Sequence, residues 1–234
     1  MFWKQTFFLL VFLLFTQHLC AEDDVRAPTV FLELGGGLTT YKSKLVTSND
    51  TSISTGYSLG LNGGADKNIG ALLRNESNTT NFEYGVNGTT SQIQSNFQDF
   101  LLRYRLGFFY LGPVFSQTAF KVKRYGVAYL DTLGSGIGFN GGLMFIVARN
   151  SEIFLDYTST STSTVKDVVQ SSTSKVGIGS RSEIYLGSKI PITRSVLNFF
   201  FGYKQRTYSI SVSGQNSSEL QTTTWVGLAL KDNF

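Results

Sequence analysis

From Thr29 onward, apolar and polar positions alternate one for one, and no window carries an apolar stripe at i, i+3, i+4 and i+7 that competes as a helix. Val30, Leu32, Leu34 and Leu38 fall on one face, against Phe31, Glu33, Gly35 and Gly37. Ile53, Tyr57, Leu59 and Leu61 do the same against Ser54, Gly56, Ser58 and Gly60. Phe100, Leu102, Tyr104 and Leu106 oppose Asp99, Arg103 and Arg105, with Leu101 as an apolar intruder on the polar face. Leu133, Ile137, Phe139, Leu143 and Phe145 oppose a run of Gly134, Gly136, Gly138, Asn140 and Gly142. The pattern predicts about ten strands, near 29–42, 53–63, 68–76, 95–106, 108–121, 131–147, 151–164, 173–189, 195–212 and 220–233, with eight as the alternative.

The connections alternate in length. Polar loops at Lys44 to Ser52, Asn75 to Gln94, Lys121 to Tyr129, Val165 to Ser172 and Gly214 to Glu219 are interleaved with tight joins at Gly63 to Lys67, Gly107, Arg149 to Ser151 and Pro191 to Thr193. An up-and-down barrel gathers its long connections at one end and its tight turns at the other, and an even strand count brings both termini to the tight-turn end. Pro113, the proline inside a strand, falls near the Gly107 turn, where a missing ladder bond costs least.

Alternation alone suits a soluble sandwich, a soluble barrel or a transmembrane barrel. The polar face separates them. It is Gly, Ser, Thr and Asn with isolated charges, and charged residues are only 15% of the 234, where a soluble surface needs many more Lys and Glu. Small polar residues fit a lumen, and Tyr57, Tyr104, Tyr157 and Tyr203 on the apolar face fit headgroup girdles. In hydrocarbon every backbone polar group must be paired, and closure into a barrel does that without edges. The expected fold is therefore all-β, an antiparallel up-and-down transmembrane β-barrel.

The amino terminus reads as a secretory signal peptide over residues 1–21. Lys4 precedes an apolar run from Thr6 to Thr16 that is too short to span a bilayer, and Ala21 is the residue before cleavage. Residues 22–234 then form one barrel domain. The single Cys (Cys20) and single His (His18) lie in that leader, so the mature chain is expected to lack every Ser/His, Cys/His or His-metal device, and no cofactor is expected.

The leader, the alternating strands and the last segment, Thr222 to Phe234, together resemble the small outer-membrane β-barrel proteins of Gram-negative bacteria. In that group a terminal aromatic residue and the alternating apolar residues before it form a signal read by the barrel-assembly machinery. Val226, Leu228, Leu230 and Phe234 match that pattern, while Asp232 departs from it. The resemblance implies outer-membrane lipid and the assembly machinery as partners, and a bacterial outer-membrane location.

Three motifs have plainer explanations. Gly136 to Gly141 satisfies G-x-G-x-x-G but has no following helix, so it makes no nucleotide site. The sequons at Asn49, Asn75, Asn78, Asn87 and Asn216 arise by chance in Asn/Ser/Thr-rich segments assigned to the long loops. Thr158 to Thr164 reads as a strand rising above the membrane. The net charge of +4 comes without any basic–aromatic platform, so no nucleic acid is expected.

The candidate functional residues are the inward charges: Glu33, Arg74, Asp99, Arg103, Arg105, Asp156, Arg181, Glu183, Lys204 and Arg206. Charges inside a narrow barrel must be paired or solvated, so they are expected to form a network that fills the lumen. The expected function is a non-enzymatic outer-membrane barrel, monomeric, with a structural or loop-display role. The alternatives are a narrow pore, anion-preferring because basic residues outnumber acidic ones among these charges, and a soluble secreted ligand-binding barrel. Lys121, Lys123 and Arg124 form a basic cluster at a strand top, read as a solvated loop, with lipopolysaccharide phosphate as the alternative neighbour.

Overall fold

The computed structural model describes residues 29–42, 49–62, 68–84, 89–124, 127–147, 151–167, 177–192, 197–212 and 215–233. The expected leader with Ala21, residues 43–48, 63–67, 85–88, 125–126, 148–150, 168–176, 193–196 and 213–214, and Phe234 lie outside the described residues. Ten strands are present: β1 (Thr29–Lys42), β2 (Asn49–Asn62), β3 (Ile69–Tyr84), β4 (Thr89–Leu106), β5 (Phe109–Arg124), β6 (Val127–Val147), β7 (Ser151–Asp167), β8 (Gly177–Pro191), β9 (Leu197–Val212) and β10 (Gln215–Asn233). Each pairs antiparallel with its chain neighbours, and β1 pairs with β10 to close the barrel. Thr29 stands opposite Asn233, so both ends of the described barrel lie at the tight-turn end, as an even count requires.

The stagger follows from the register. The hydrogen-bonded row through Tyr41 passes Gln221, Arg206, Glu183, Thr158, Asn140 and Gly112, crosses to β4 and continues through Gly70 and Asn62. It returns to β1 at Thr29, twelve positions below its start. That offset is what tilts strands about a barrel axis.

The apolar face points outward. Leu34, Leu59, Leu102, Ile137, Leu155, Leu186, Phe201 and Leu228 are all exposed, as are Tyr57, Tyr104, Tyr157 and Tyr203. Above this belt the outward positions turn polar: Gln98 and Asn96 on β4, Gln117, Lys121 and Lys123 on β5, Ser161 on β7, Ser180 on β8, Gln205 on β9 and Thr224 on β10. An inside-out arrangement of this kind, with apolar side chains outside and charges within, is the polarity of a barrel whose solvent is hydrocarbon.

The long polar loops are a correction. β3 and β4 pair from Ile69↔Tyr104 up to Tyr84↔Thr89, so most of Asn75 to Gln94 is strand. β2 begins at Asn49, β5 reaches Arg124, β7 reaches Asp167 and β10 begins at Gln215. Above the belt both faces are polar, so a hydrophobic/polar code no longer alternates. The inward hydroxyls and amides nevertheless hold the wall together, as Thr39 with Ser54 (2.6 Å) and Thr223 (2.8 Å) and Asn78 with Ser52 (2.7 Å) show. Asn75 and Asn78 are thus strand residues rather than loop sequons, and the buried Asn78 amide donates inward to Ser52 and Ser54.

Glycine is required at two kinds of place. Gly107 turns β4 into β5 at φ +60°, the left-handed region that L side chains avoid. On β6, a Cβ at Gly138 would run into the backbone of Ser159 and Thr160 on β7. Gly138→Ala is therefore expected to destabilise the barrel by about 1–3 kcal/mol, as overpacking does. Gly141→Ala, whose Cβ would sit 3.5 Å from the Tyr110 carbonyl oxygen, is expected to be near neutral in the same urea titration. At Pro113 the β4–β5 pairing runs from Leu101↔Val114 directly to Tyr104↔Leu111, a gap consistent with the missing proline N–H.

Candidate functional site in the lumen

Parity sends Arg74 and Glu76 of β3, Asp99 of β4, Arg181 and Glu183 of β8, and Lys204 and Arg206 of β9 into the lumen. All seven are buried, six of them with no more than 4% of their surface exposed. They form one chain of alternating sign. Arg181 Nη2 donates to Asp99 Oδ1 at 2.7 Å, and Arg74 Nη2 donates to Asp99 Oδ2 at 3.0 Å. Arg74 Nη1 lies 3.1 Å from Glu183 Oε1, and Arg206 Nη2 lies 2.6 Å from Glu183 Oε2. Arg206 Nη2 and Lys204 Nζ each reach Glu76 Oε2 at 2.7 Å. The order is Arg181, Asp99, Arg74, Glu183, Arg206, Glu76, Lys204: four cations separated by three carboxylates.

This chain bridges the barrel from wall to wall. β3 and β8 are five strands apart in either direction around the ring, and Arg74–Glu183 joins them. Arg181–Asp99 joins β8 to β4, and Lys204–Glu76 joins β9 to β3. Secondary partners hold the links in place. Ser116 donates to Asp99 at 2.8 Å, and the Gln221 carbonyl oxygen accepts from Arg206 at 3.2 Å. The Arg206 guanidinium stacks 3.9 Å above the Phe97 ring, while Lys204 stands 4.9 and 4.8 Å from the Tyr185 and Trp225 ring centroids.

The chain is covered on both sides. Towards the polar hairpins, Tyr41, Ile93, Phe97, Phe120 and Tyr208 are fully buried, with Tyr208 edge-on to Phe97 and Phe120 at 5.5 and 6.0 Å. The Tyr208 hydroxyl donates to Tyr41, which donates to Glu219 at 2.7 Å. Towards the tight-turn end, Leu72, Leu101 and Val114 pack with Phe31, so Leu101, the apolar intruder of the sequence, is a core residue. A small cavity of about 40 Å³ lies between Glu33, Glu76, Tyr185, Lys204, Phe200 and Trp225, room for a water or two.

Two further ion pairs sit nearer the tight turns. Arg103 pairs with Asp156, which also accepts from Tyr110 at 3.0 Å and from Asn140. Lys189 pairs with Glu33 and lies 4.0 Å from Glu152. Of the ten inward charges expected from sequence, six stand in the central chain. Arg103, Asp156 and Glu33 belong to the lower pairs, and Arg105 turns to the rim, where its Nε donates to the Gly107 carbonyl at 2.8 Å.

Sequence reasoning missed Glu76, Lys189, Glu152, Glu219 and the aromatic cover. Glu76 keeps Arg74's parity two residues on, and was passed over because the strand was expected to end there. Adding these three acids and one base to the ten cancels the basic excess, so among the described residues the inward charges balance. The anion preference inferred for a pore loses its premise.

Of the residues expected to form a C-terminal assembly signal, Val226, Leu228 and Leu230 lie exposed on the outer face of β10. Lys121 and Lys123 are exposed on β5, with Lys121 Nζ 3.0 Å from Asp131 Oδ2, so this cluster is strand and not loop.

No family model matches the chain, and no curated protein matches it. Among solved structures, it is similar to the outer membrane protease OmpT from Escherichia coli, with 8% identity over 90% of this chain and 98% of that one, at a TM-score of 0.45. It is also similar to Neisserial surface protein A, with 11% identity over 86% and 96% at a TM-score of 0.44. The outer membrane protein OprG from Pseudomonas aeruginosa shares 11% identity over 90% and 98%, at a TM-score of 0.36.

Proposed function

We propose that this chain is an integral outer-membrane β-barrel protein with a closed lumen, non-enzymatic, and that its role is structural or the display of its polar hairpins above the membrane. The observation that carries the reading is the salt-bridge chain spanning the lumen between β3, β4, β8 and β9 beneath a fully buried aromatic cover. A solute could pass only if several buried ion pairs broke together, each at a cost of about 3–5 kcal/mol. The exposed apolar belt supports the membrane location, because so large an apolar surface on a soluble monomer would aggregate. From Thr29 onward the chain contains neither His nor Cys, which supports a non-catalytic role. In this reading the protein is exported by the leader cleaved after Ala21 and folds as a monomer. Val226, Leu228, Leu230 and Phe234 form the signal offered to the assembly machinery.

Detergent-extracted protein is expected to migrate differently on a denaturing gel before and after boiling, and to give no steady single-channel steps in a planar bilayer. Identical migration with recovery in the soluble fraction would defeat the membrane assignment. Reproducible conductance steps would defeat the closed lumen.

A further inference from the structure

Two lysines of the lumen are held alike, each by a carboxylate and two aromatic rings. Lys204 has Glu76, Tyr185 and Trp225, while Lys189 has Glu33, with Phe31 and Phe154 at 5.2 and 5.7 Å. Between the two groups lies the cavity of about 40 Å³, whose walls include Glu33 of one and Glu76, Lys204 and Trp225 of the other. Trp225 is 5% exposed, and its Nε1–H is buried with no hydrogen-bond partner among the described residues. The indole has little freedom to find one elsewhere. Lys204 stands over its face, and its Cη2 edge lies where a Cβ at Gly56 would come within 3.2 Å. Leaving a buried donor unpaired is costly. The charged residues that line the cavity are two acids and two bases, Glu33, Glu76, Arg74 and Lys204, so they call for no further ion. A polar cavity of this size fills with water, where an apolar one stays dry.

We infer that the cavity is a built hydration site, in which an ordered water accepts the Trp225 Nε1 proton and donates to the Glu33 and Glu76 carboxylates. The water joins the central chain to the Lys189–Glu33 pair and fixes the indole ring that packs on Lys204. Water both accepts and donates, which suits one orphan donor and two carboxylates lining the same space. A cation would leave the indole unsatisfied, and an anion would stand against Glu33 and Glu76. The inference concerns the interior of the barrel and does not depend on the location assigned to it.

The chain has two tryptophans, Trp3 and Trp225, so nuclear magnetic resonance of the isotope-labelled protein refolded in detergent shows no more than two indole N–H signals, and Trp225→Phe assigns them. If Trp225→Phe does not fold, Trp3→Phe makes the same assignment. The Trp225 indole proton is expected to cross-relax with water with the sign of a long-lived bound molecule, while exchanging slowly with bulk solvent. A crystal is expected to show a water within hydrogen-bond distance of Nε1. Glu33→Gln is expected to shift the Trp225 indole signal and to shorten the lifetime of the bound water. Glu152→Gln, at a residue 4.0 Å from Lys189 but outside the cavity lining, should change neither. Absence of cross-relaxation would mean a dry cavity, and fast exchange with bulk solvent an open vestibule. Either result would overturn the inference, as would equal shifts in the two glutamate variants. If Glu33→Gln does not fold, the water signal at Trp225 in the unaltered protein decides.

Discussion

Replacing Asp99 with alanine is expected to remove about 3–5 kcal/mol of stability or more, the cost of leaving a buried charge without its partner. Asp99 is the link held by two guanidiniums, Arg181 at 2.7 Å and Arg74 at 3.0 Å, and the acceptor of the Ser116 hydroxyl. Its loss removes the one carboxylate paired with Arg181 among the described residues and leaves Arg74 to Glu183 and the Thr158 hydroxyl. Against the 5–15 kcal/mol typical of whole domains, that is a large fraction, so the folded, heat-modifiable form should be depleted and the urea midpoint should fall steeply. Ser116→Ala removes one neutral donor from the same carboxylate and should cost only about 0.5–1.5 kcal/mol. Equal midpoints for Asp99→Ala and the unaltered protein would mean that the chain is not buried as described.

The second large effect concerns the outer wall. Phe201 and Gln205 both point outward from β9, Phe201 in the apolar belt and Gln205 above it. Phe201→Arg in lipid vesicles is expected to destabilise by about 2–4 kcal/mol, the cost of a cation on the lipid face near the bilayer midplane. Gln205→Arg should cost no more than about 1 kcal/mol. A soluble barrel would show no such contrast, since surface substitutions in water stay within about 0.5 kcal/mol. Urea unfolding of both variants in the same vesicles therefore separates the membrane barrel from a secreted ligand-binding one, and equal midpoints would favour the latter.

The fold was legible because period-two alternation recurs in about ten segments; the apparent alternation of connection lengths came from polar strand ends that the structure pairs as strand. Where the outward residues are Leu, Phe or Tyr, the expected strands lie within a few positions of β1, β6 and β9. The signal fails above the belt, in Asn75 to Gln94. There the outward Asn75, Ser77, Gln98 and Asn96 are polar, and the inward Glu76, Asn78 and Ser95 are polar too, so only the backbone pairing defines the strand.

The inward charges were legible by parity, but their partners were not. Which charge meets which depends on the twelve-position stagger and on closure, quantities that no local window contains. Lys189 was visible on the polar face of its strand, yet its partner Glu33 comes from β1, three strands away around the ring. The aromatic cover was hidden for another reason: Phe97 and Phe120 carry the same parity as polar neighbours, and alternation alone reads such residues as exceptions.

The span of the ion pairs along the chain has a kinetic consequence. Glu76 and Arg206 are separated by 130 positions, and Asp99 and Arg181 by 82. Neither link can form within a hairpin, so each waits until distant segments have been brought together, and the entropy of that loop closure comes before the electrostatic gain. A partly assembled sheet therefore holds its arginines and carboxylates as isolated charges. The missing strands matter to it far more than their backbone ladders alone would suggest. Completion of the ring forms these cross-lumen pairs together, which makes barrels short of a strand unstable and closure close to all-or-none.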